Sequence, residues 1–341
     1  MSSICRLCLA IALCSISRAA LSVPPIMGPS AAAAAMGLQA SGSQIPLPQD
    51  DVDTLRDRIG RIIAPVMING QGPFAFMLDT GANQTVLSEA VLTKLQLTAN
   101  ADLRVSVSGI TGSEMASSVH IDHLDAGELH LRDITLAVLA GPVLSGLDGI
   151  LGMDGLAGLR LSADLLRNRM TISHSHGRYS DPRYSVVAVE FLSERLLLTE
   201  AQIGRVRVKA VIDTGSMHTL GNQAMLAALI NKGQEKDRSD ELAKHAEVID
   251  VTQVSQFGLI GRVSSIHLGA ATVRNLDVTF GDFPIFKSWQ LQDTPALLIG
   301  MDVLGTMEKV SIDYRRKEIG LLPRDSAQPS VVTKYFSFDT W

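Results

Sequence analysis

The segment Phe76-Met77-Leu78-Asp79-Thr80-Gly81-Ala82 decides the fold, because it recurs later as Ala210-Val211-Ile212-Asp213-Thr214-Gly215-Ser216. In each copy, apolar residues lead into Asp-Thr-Gly and a small residue follows. A second motif, Gly149–Asp154, recurs as Leu297–Asp302, so both copies end on two apolar residues and Gly-Met-Asp. Since two motifs recur in the same order, the sequence predicts one fold used twice along the chain.

The overall composition is that of a globular protein. Of 341 residues, 46% are hydrophobic and 19% are charged, with 28 Gly and 13 Pro, which excludes collagen-like, low-complexity and fully disordered chains. This length predicts two domains, each able to bury its own core. A net charge of −5 without a basic run argues against binding to nucleic acid or to anionic membranes.

The first 19 residues have the pattern of a signal peptide. The apolar stretch Leu7–Ile16 is long enough for the central region of a signal and too short to span a bilayer, and Ala19 offers a small residue for cleavage. We therefore predict a periplasmic or secreted protein without stable membrane insertion after cleavage; the alternative is a buried helix of the fold. All three cysteines lie in this leader: Cys5, Cys8 and Cys14. The fold of the mature chain then cannot depend on disulfides.

Composition and the repeat divide the rest of the chain. Residues 20–50 contain prolines, glycines and five consecutive alanines without periodicity, which predicts a flexible linker. We assign residues 51–177 to a first lobe, 183–324 to a second lobe and 325–341 to a C-terminal tail. The first motif recurs after 134 positions (79 to 213) and the second after 148 (152 to 300), so the second lobe holds 14 more residues. The polar stretch 231–246 is the predicted insertion.

Short apolar runs separated by turn residues indicate a mainly β protein. Ile62–Ile68 and Phe74–Leu78 flank Asn69–Pro73, which contains Asn-Gly and therefore predicts a hairpin. A helical period is clear only in short stretches, such as the one from Ser88, a good N-cap residue, to Leu97. The predicted fold class is therefore mainly β.

The duplicated pattern resembles the aspartic protease superfamily, and more specifically its retropepsin-like branch in bacteria, over about residues 59–322. The resemblance implies two β lobes related by a pseudo-two-fold axis, with the active-site cleft between them. It also implies an aspartic-type endopeptidase that hydrolyses peptide bonds of a polypeptide substrate, with Asp79 and Asp213 as the catalytic pair. Neither a cofactor nor a metal is needed for such a reaction.

The residues themselves support this chemistry. An apolar strand that ends in Asp carries the carboxylate out of a core and into a cleft. Two carboxyl groups at hydrogen-bond distance cannot both ionise, so they share one proton. The ionised member can then deprotonate a water molecule while the protonated member polarises a peptide carbonyl. The alternative from another functional class is a catalytically silent peptide-binding module of the same fold.

The resemblance also implies roles for neighbouring residues. The threonines of the first motif would cross-bond the two loops, its glycines would permit their close approach, and the glycines of the second motif would leave room behind them. The supporting residues are Thr80, Gly81, Ala82, Thr214, Gly215, Ser216, Gly152 and Gly300. Asp154 and Asp302 are expected to cap the short helices that follow.

One difference between the two copies bears on the shared proton. Ala82 follows the first Asp-Thr-Gly, whereas Ser216 follows the second. A hydroxyl at this position can donate a hydrogen bond to an ionised carboxylate, which lowers its pKa. We therefore expect Ser216 to favour ionised Asp213 as the base and to leave the proton on Asp79.

Two hairpin tips are candidates for flaps over the cleft. Gly109-Ile110-Thr111-Gly112 lies between the two motifs of the first lobe and contains two glycines that suit a turn. The corresponding segment of the second lobe is Gln256–Gly261. Neither tip contains the tyrosine of pepsin-type flaps, which favours the retropepsin-like branch; the alternative for each is an ordinary exposed hairpin.

Metal binding and oligomeric state complete the expectations. The histidines at positions 120, 123, 174 and 176 do not lie with Cys or clustered carboxylates at ligand spacing, so no metal site is predicted. One chain carries both Asp-Thr-Gly loops, so a monomer suffices for one active site. The alternative is a dimer in which each lobe pairs with the equivalent lobe of a second chain.

Overall fold

The computed structural model describes residues 6–8, 13–15, 52–53, 55–56, 61–140, 144, 146–179, 181–192, 196–233 and 245–324. Four predicted segments lie wholly or largely outside the described residues: the signal peptide 1–19, the linker 20–50, the insertion 231–246 and the tail 325–341.

Short strands dominate both halves of the described chain. The first half contains β1 (Arg6–Cys8), β2 (Leu13–Ser15), β3 (Val52–Asp53), β4 (Leu55–Arg56), β5 (Ile62–Ile68), β6 (Gln71–Leu78), β7 (Val86–Ser88), α1 (Glu89–Leu95), β8 (Asn100–Ser108), β9 (Ser113–Ala126), β10 (Leu129–Leu139), β11 (Gly149–Leu151), β12 (Leu159–Asp164) and β13 (Arg169–His174). The second half contains β14 (Ser185–Ala188), β15 (Glu190–Leu192), β16 (Leu196–Ile203), β17 (Val206–Ile212), β18 (Leu220–Asn222), α2 (Gln223–Asn231), β19 (His245–Ile249), β20 (Ser255–Leu268), β21 (Ala271–Gly281), α3 (Pro284–Ser288), β22 (Ala296–Ile299), α4 (Met301–Leu304), β23 (Met307–Asp313) and β24 (Glu318–Pro323).

The first lobe is a nine-stranded sheet in the order β1-β8-β9-β10-β7-β11-β6-β5-β4, with β9 also pairing with β5. Its β5–β6 hairpin turns at Asn69 and Gly70, whose positive φ angles of 49° and 74° are those that an Asn-Gly turn adopts. Strand β11 lies between β6 and β7, parallel to the first and antiparallel to the second. The second motif of the sequence therefore passes directly beside the strand that ends in Asp79.

The second lobe repeats this arrangement, in the order β15-β16-β17-β22-β18-β21-β20-β19-β2, with β16 also pairing with β20. Here β22 is parallel to β17 and antiparallel to β18, as β11 is to its neighbours in the first lobe. The mainly β class and the two homologous lobes predicted from the repeat are confirmed.

A third sheet joins the lobes, in the order β14-β24-β23-β12-β13-β3. At its centre β12 of the first lobe pairs antiparallel with β23 of the second, with Ser162 opposite Ser311. The hydroxyls of these two serines are 2.8 Å apart and hydrogen-bonded. The strand that follows the second motif in each half thus meets its counterpart on the pseudo-two-fold axis.

The helices are short. Ser88 caps α1, because its hydroxyl oxygen accepts a hydrogen bond from the Val91 amide at 3.3 Å. The helix ends at Leu95, before the predicted Leu97, because Gln96 adopts a left-handed φ of 56°. The longest helix, α2, has nine residues, and within the described part of the chain no helix is long and apolar enough to cross a membrane.

Candidate active site

Asp79 and Asp213 meet at the interface between the lobes, each directly after a buried strand. The amide of Asp79 donates to the Leu151 carbonyl, and the amide of Asp213 donates to the Ile299 carbonyl, both at 3.0 Å. These two hydrogen bonds therefore fix, through β11 and β22, the point at which each Asp-Thr-Gly loop leaves its sheet. Both carboxyl groups have no solvent-exposed surface.

Backbone amides hold one oxygen of each carboxyl group. The Gly81 amide donates to Oδ1 of Asp79, and the Gly215 amide donates to Oδ1 of Asp213, both at 2.8 Å. A Cβ atom on Gly215 would lie 2.3 Å from Cγ of Asp79, which no real contact allows. Glycine at this position is therefore what lets the two loops approach each other.

The two threonines cross-link the loops. Oγ1 of Thr80 donates to the Ile212 carbonyl at 2.8 Å and accepts from the Thr214 amide at 2.9 Å. Oγ1 of Thr214 donates to the Leu78 carbonyl at 2.9 Å and accepts from the Thr80 amide at 3.1 Å. Both side chains are buried, so loss of either hydroxyl would leave an amide and a carbonyl unpaired.

The second oxygen of each carboxyl group is not held by the backbone of the described residues. Within the described part of the chain, Oδ2 of Asp79 and Oδ2 of Asp213 are buried and have no hydrogen-bond partner. Each can therefore exchange a proton or a hydrogen bond with a molecule held between the carboxyl groups. This is the arrangement that general acid–base catalysis needs.

Burial raises the pKa of both carboxyl groups, that of Asp79 to about 7 and that of Asp213 well above its ordinary value. The negative charge of Asp79 raises the pKa of Asp213 further. The positive charge of buried Arg61 lowers the pKa of Asp79. Two carboxyl groups this close cannot both ionise, so the pair shares one proton.

The hydrogen bond expected from the hydroxyl after the second Asp-Thr-Gly to Asp213 does not form. The Ser216 hydroxyl donates to the His218 carbonyl at 2.8 Å and is not bonded to Asp213; only the Ser216 amide reaches that carboxyl, at 3.1 Å. Ala82 lies fully buried in an apolar cluster of the first lobe. Sequence alone missed Arg61, because its approach to Asp79 depends on how β5 packs.

Two small polar networks support the catalytic loops from behind. Oγ1 of Thr85 donates to Asp154 at 2.6 Å and accepts from the Gly152 amide at 3.1 Å. In the second lobe, Oγ1 of Thr219 bonds in the same way to Asp302 and to the Gly300 amide, at 2.6 and 3.2 Å. Asp154 and Asp302 thus bind the loops, and the prediction that they cap helices is wrong; Gly300 occupies the N-cap of α4.

The first flap is the β8–β9 hairpin, whose turn is the predicted segment Gly109–Gly112. The Gly109 amide donates to the Gly112 carbonyl at 2.8 Å and closes the turn. Ile110, at the tip, has no exposed surface and packs in an apolar cluster that otherwise consists of second-lobe residues. The first flap therefore crosses the cleft.

The second flap is the β19–β20 hairpin, whose turn comprises residues 250–254. The predicted tip, Gln256–Gly261, is wrong because these residues lie inside β20. The turn forms earlier, where the Asp250 carboxylate accepts hydrogen bonds from the Thr252 amide and hydroxyl at 2.8 and 2.6 Å. Asp is a known turn residue because its side chain bonds the backbone amide two residues on, so Asp250 was a signal available in the sequence.

Of the histidines considered as metal ligands, His120 lies near Asp122 and Asp133, and all three side chains are exposed to solvent. Among the described residues, no group of three or more His, Cys, Asp or Glu side chains is arranged to hold a metal ion.

Two cross-bonded Asp-Thr-Gly loops, presenting facing carboxyl groups from two β lobes, define an aspartic-type peptidase, a hydrolase. The family models agree: residues 64–157 match one described as "gag-polyprotein putative aspartyl protease", and residues 199–303 match one described as aspartyl protease. The chain belongs to the retropepsin-like aspartic protease family.

Comparison with solved structures shows the same fold. The aspartic proteinase from Irpex lacteus has a TM-score of 0.50 and 14% sequence identity, over 82% of this chain and 98% of that chain. A comparison with curated proteins finds no match.

Proposed function

We propose that the protein is an endopeptidase that hydrolyses bonds within extended polypeptides by means of water activated between Asp79 and Asp213. The observation that carries this proposal is the pair of buried carboxyl groups, each bound through Oδ1 to a backbone amide while Oδ2 has no partner among the described residues. Such preorganisation has no structural purpose, because burying the two groups costs stability and raises the pKa of both.

In the proposed reaction the two carboxyl groups take complementary roles. The ionised member of the pair takes a proton from the water, whose oxygen attacks the peptide carbonyl carbon, while the protonated member gives its proton to the carbonyl oxygen. The resulting tetrahedral diol then breaks its C–N bond, as one hydroxyl returns a proton to the pair and the leaving nitrogen receives one. One water is consumed, and the pair ends with the single proton with which it began.

The test compares the native protein with Asp79→Asn and Asp213→Asn on denatured casein, with and without a statine-type inhibitor. We expect both variants to lose at least about 10³-fold in kcat, as the loss of one member of a catalytic unit usually does, while circular dichroism shows an intact fold. Asp277→Asn, which changes a carboxylate paired with Arg262 on the surface of the second lobe, is the matched control.

The products distinguish the remaining alternatives. Internal fragments in the mass spectrum support endopeptidase action, whereas release of single terminal residues contradicts it. A native protein that binds the inhibitor without cleaving casein would instead be the silent peptide-binding module. Near-native turnover by either Asn variant would overturn the assignment of the pair.

We also propose that the protein is exported and acts in a periplasm or outside the cell. The support is the apolar stretch Leu7–Ile16 followed by Ala19, together with the confinement of every cysteine to the same segment. Intact-mass measurement of protein recovered from the cell envelope should show a start at or near Ala20 and no free thiol. A recovered chain that still begins at Met1 or Ser2 contradicts cleavage.

A further inference from the structure

The tip of each flap packs against the opposite lobe. Ile110 of the first flap is buried in a second-lobe cluster, and its carbonyl accepts a hydrogen bond from the Ile285 amide at 3.3 Å. Val251 of the second flap is 1% exposed and packs in a first-lobe cluster with Met77 and Ala82, which flank Asp79 in the sequence. Each tip thus inserts one apolar side chain into the opposite lobe, and the dyad below is fully enclosed.

One carboxylate links the two tips. Asp250 is 3% exposed, and its Oδ2 accepts a hydrogen bond from the Thr111 amide at 2.8 Å, across the cleft. Its Oδ1 accepts from the amide and hydroxyl of Thr252 in its own turn. The Thr111 and Thr252 hydroxyls are themselves 3.2 Å apart. The carboxylate therefore shapes the second turn and binds the first tip at the same time.

Gly109 shows how closely the first tip fits this carboxylate. A Cβ atom at Gly109 would lie 1.9 Å from Oδ2 of Asp250 and 2.5 Å from its Cγ. The first turn therefore needs a glycine where the carboxylate lies, and any side chain there would separate the two tips.

We propose that Asp250 is a positioning residue that holds the first flap closed across the cleft, above a bound polypeptide. The inference rests on the proposed function for its kinetic consequence only. The bonds of Asp250 involve tip atoms and none of the dyad, so the carboxylate acts on the flap and leaves the chemical step to Asp79 and Asp213.

The fluorescence of Trp289 can report whether the first flap is docked on the second lobe. Trp289 is 2% exposed and belongs to the cluster that receives Ile110, together with Phe286, which packs edge-on against it. The chain has only two tryptophans, so a Trp341→Phe background leaves Trp289 as the single indole fluorophore. Quenching of its fluorescence by acrylamide then measures how often the first tip leaves its site.

The experiment measures acrylamide quenching in the Trp341→Phe background for Asp250→Ala, Asp250→Asn and Gly109→Ala. We expect all three to increase the quenching constant of Trp289, because each breaks the contact between the tips by a different route. Asp277→Ala, which removes an exposed carboxylate of the same lobe, should leave it unchanged. Combining Gly109→Ala with Asp250→Ala should add little to either change, because the two act on one contact.

Kinetics give a second readout. Loss of a hydrogen bond to a charged group should raise KM about 10-fold and leave kcat within about 3-fold, since flap closure adds binding energy without touching the reacting atoms. If the native protein has no turnover, the Kd of a statine-type peptide replaces KM, so a failure of the proposed function does not affect this test.

Two results would overturn the proposal. One is native-like quenching in Asp250→Asn and Gly109→Ala, both of which retain the side-chain volume at position 250. The other is a fall in kcat with KM or Kd unchanged, which would place Asp250 in the chemical step or in general stability.

Discussion

At the scale of single residues, the site works through the burial of charge. The carboxyl groups of Asp79 and Asp213 have no exposed surface, and their most effective neighbours are backbone amides and each other. The positive charge of buried Arg61 also lowers the pKa of Asp79, by less than the backbone amides do. One charge thus favours the ionised form of Asp79.

Replacement of Arg61 should therefore change the pH dependence. The acidic limb of kcat/KM reports protonation of the ionised member of the pair, so activity falls as the pH falls through the apparent pKa of the pair. Arg61 lowers the pKa of Asp79, so Arg61→Gln should raise the apparent pKa and move the acidic limb to higher pH. Arg61→Lys, which keeps the charge, should leave the limb closer to its native position. An unmoved or downward-shifted limb in Arg61→Gln would contradict this effect of Arg61.

The threonine cross-links can be tested with isosteric variants. Thr80→Val removes the hydroxyl and leaves the Thr214 amide and the Ile212 carbonyl unpaired and buried. We expect a loss of about 2–4 kcal/mol in the free energy of unfolding, since each unsatisfied group costs about 1–3 kcal/mol. Thr80→Ser keeps the hydroxyl and should recover most of this loss in urea denaturation. Equal stability of the Val and Ser variants would show that the hydrogen bonds contribute little.

At the scale of elements, each catalytic loop depends on the strand behind it. Strand β11 supplies the carbonyl that positions Asp79, and Gly152, which follows it, lies against the loop after Gly81. The tip of each flap, in turn, is fixed by the opposite lobe; burial of one Ile side chain is worth about 1.5–3 kcal/mol. Each loop is thus held by its own lobe as well as by the threonine cross-links, whereas each flap tip packs against the opposite lobe.

A methyl group behind the first loop should therefore impair catalysis. A Cβ atom at Gly152 would lie 2.4 Å from the backbone carbon of Gln84, whereas one at Gly300 would lie 2.8 Å from that of His218. Because displacement of catalytic groups by about 1 Å can cost about 10²-fold, we expect Gly152→Ala to lower kcat about 100-fold and Gly300→Ala less. Gly233→Ala, where the added Cβ meets nothing within 4 Å but the φ of 65° is strained for alanine, controls for backbone strain away from the loops.

Sequence patterns predicted turns, caps and loops correctly where a few consecutive residues determine them. The Asn69-Gly70 turn, the Ser88 cap and the two Asp-Thr-Gly loops each follow from a few consecutive residues. The second flap was misplaced because the glycines at 258 and 261 lie within a strand, while the true turn is made by a side chain, that of Asp250. Contacts that form across the cleft, such as Thr111 with Asp250, have no local signature.

At the scale of the whole molecule, the repeat predicted two lobes but not how they are joined. The pairing of β12 with β23 connects residues 149 positions apart, such as Ser162 and Ser311. Neither strand has a sequence feature that specifies its partner, because apolar alternation allows many registers. The central sheet thus follows from the symmetry of the two halves once they are folded.

This architecture predicts a monomer with one active site. The threonine cross-links, the flap-tip contacts and the central sheet all form within one chain. Sedimentation should give a mass of about one chain, 36.5 kDa or less after leader cleavage, and a tight inhibitor should titrate one site per chain. A stable dimer that loses activity on dilution would favour the alternative in which lobes pair between chains.

The order of the strands along the chain also determines when the site can form during protein synthesis. A ribosome that has reached residue 250 has made both catalytic aspartates, but not strand β22, whose Ile299 carbonyl binds the Asp213 amide, nor β23, which pairs with β12. The site is complete only after residues 307–313 have been made. A nascent chain shorter than about residue 313 therefore lacks the assembled pair, which protects the translation machinery from the proposed proteolytic activity until both halves have been made.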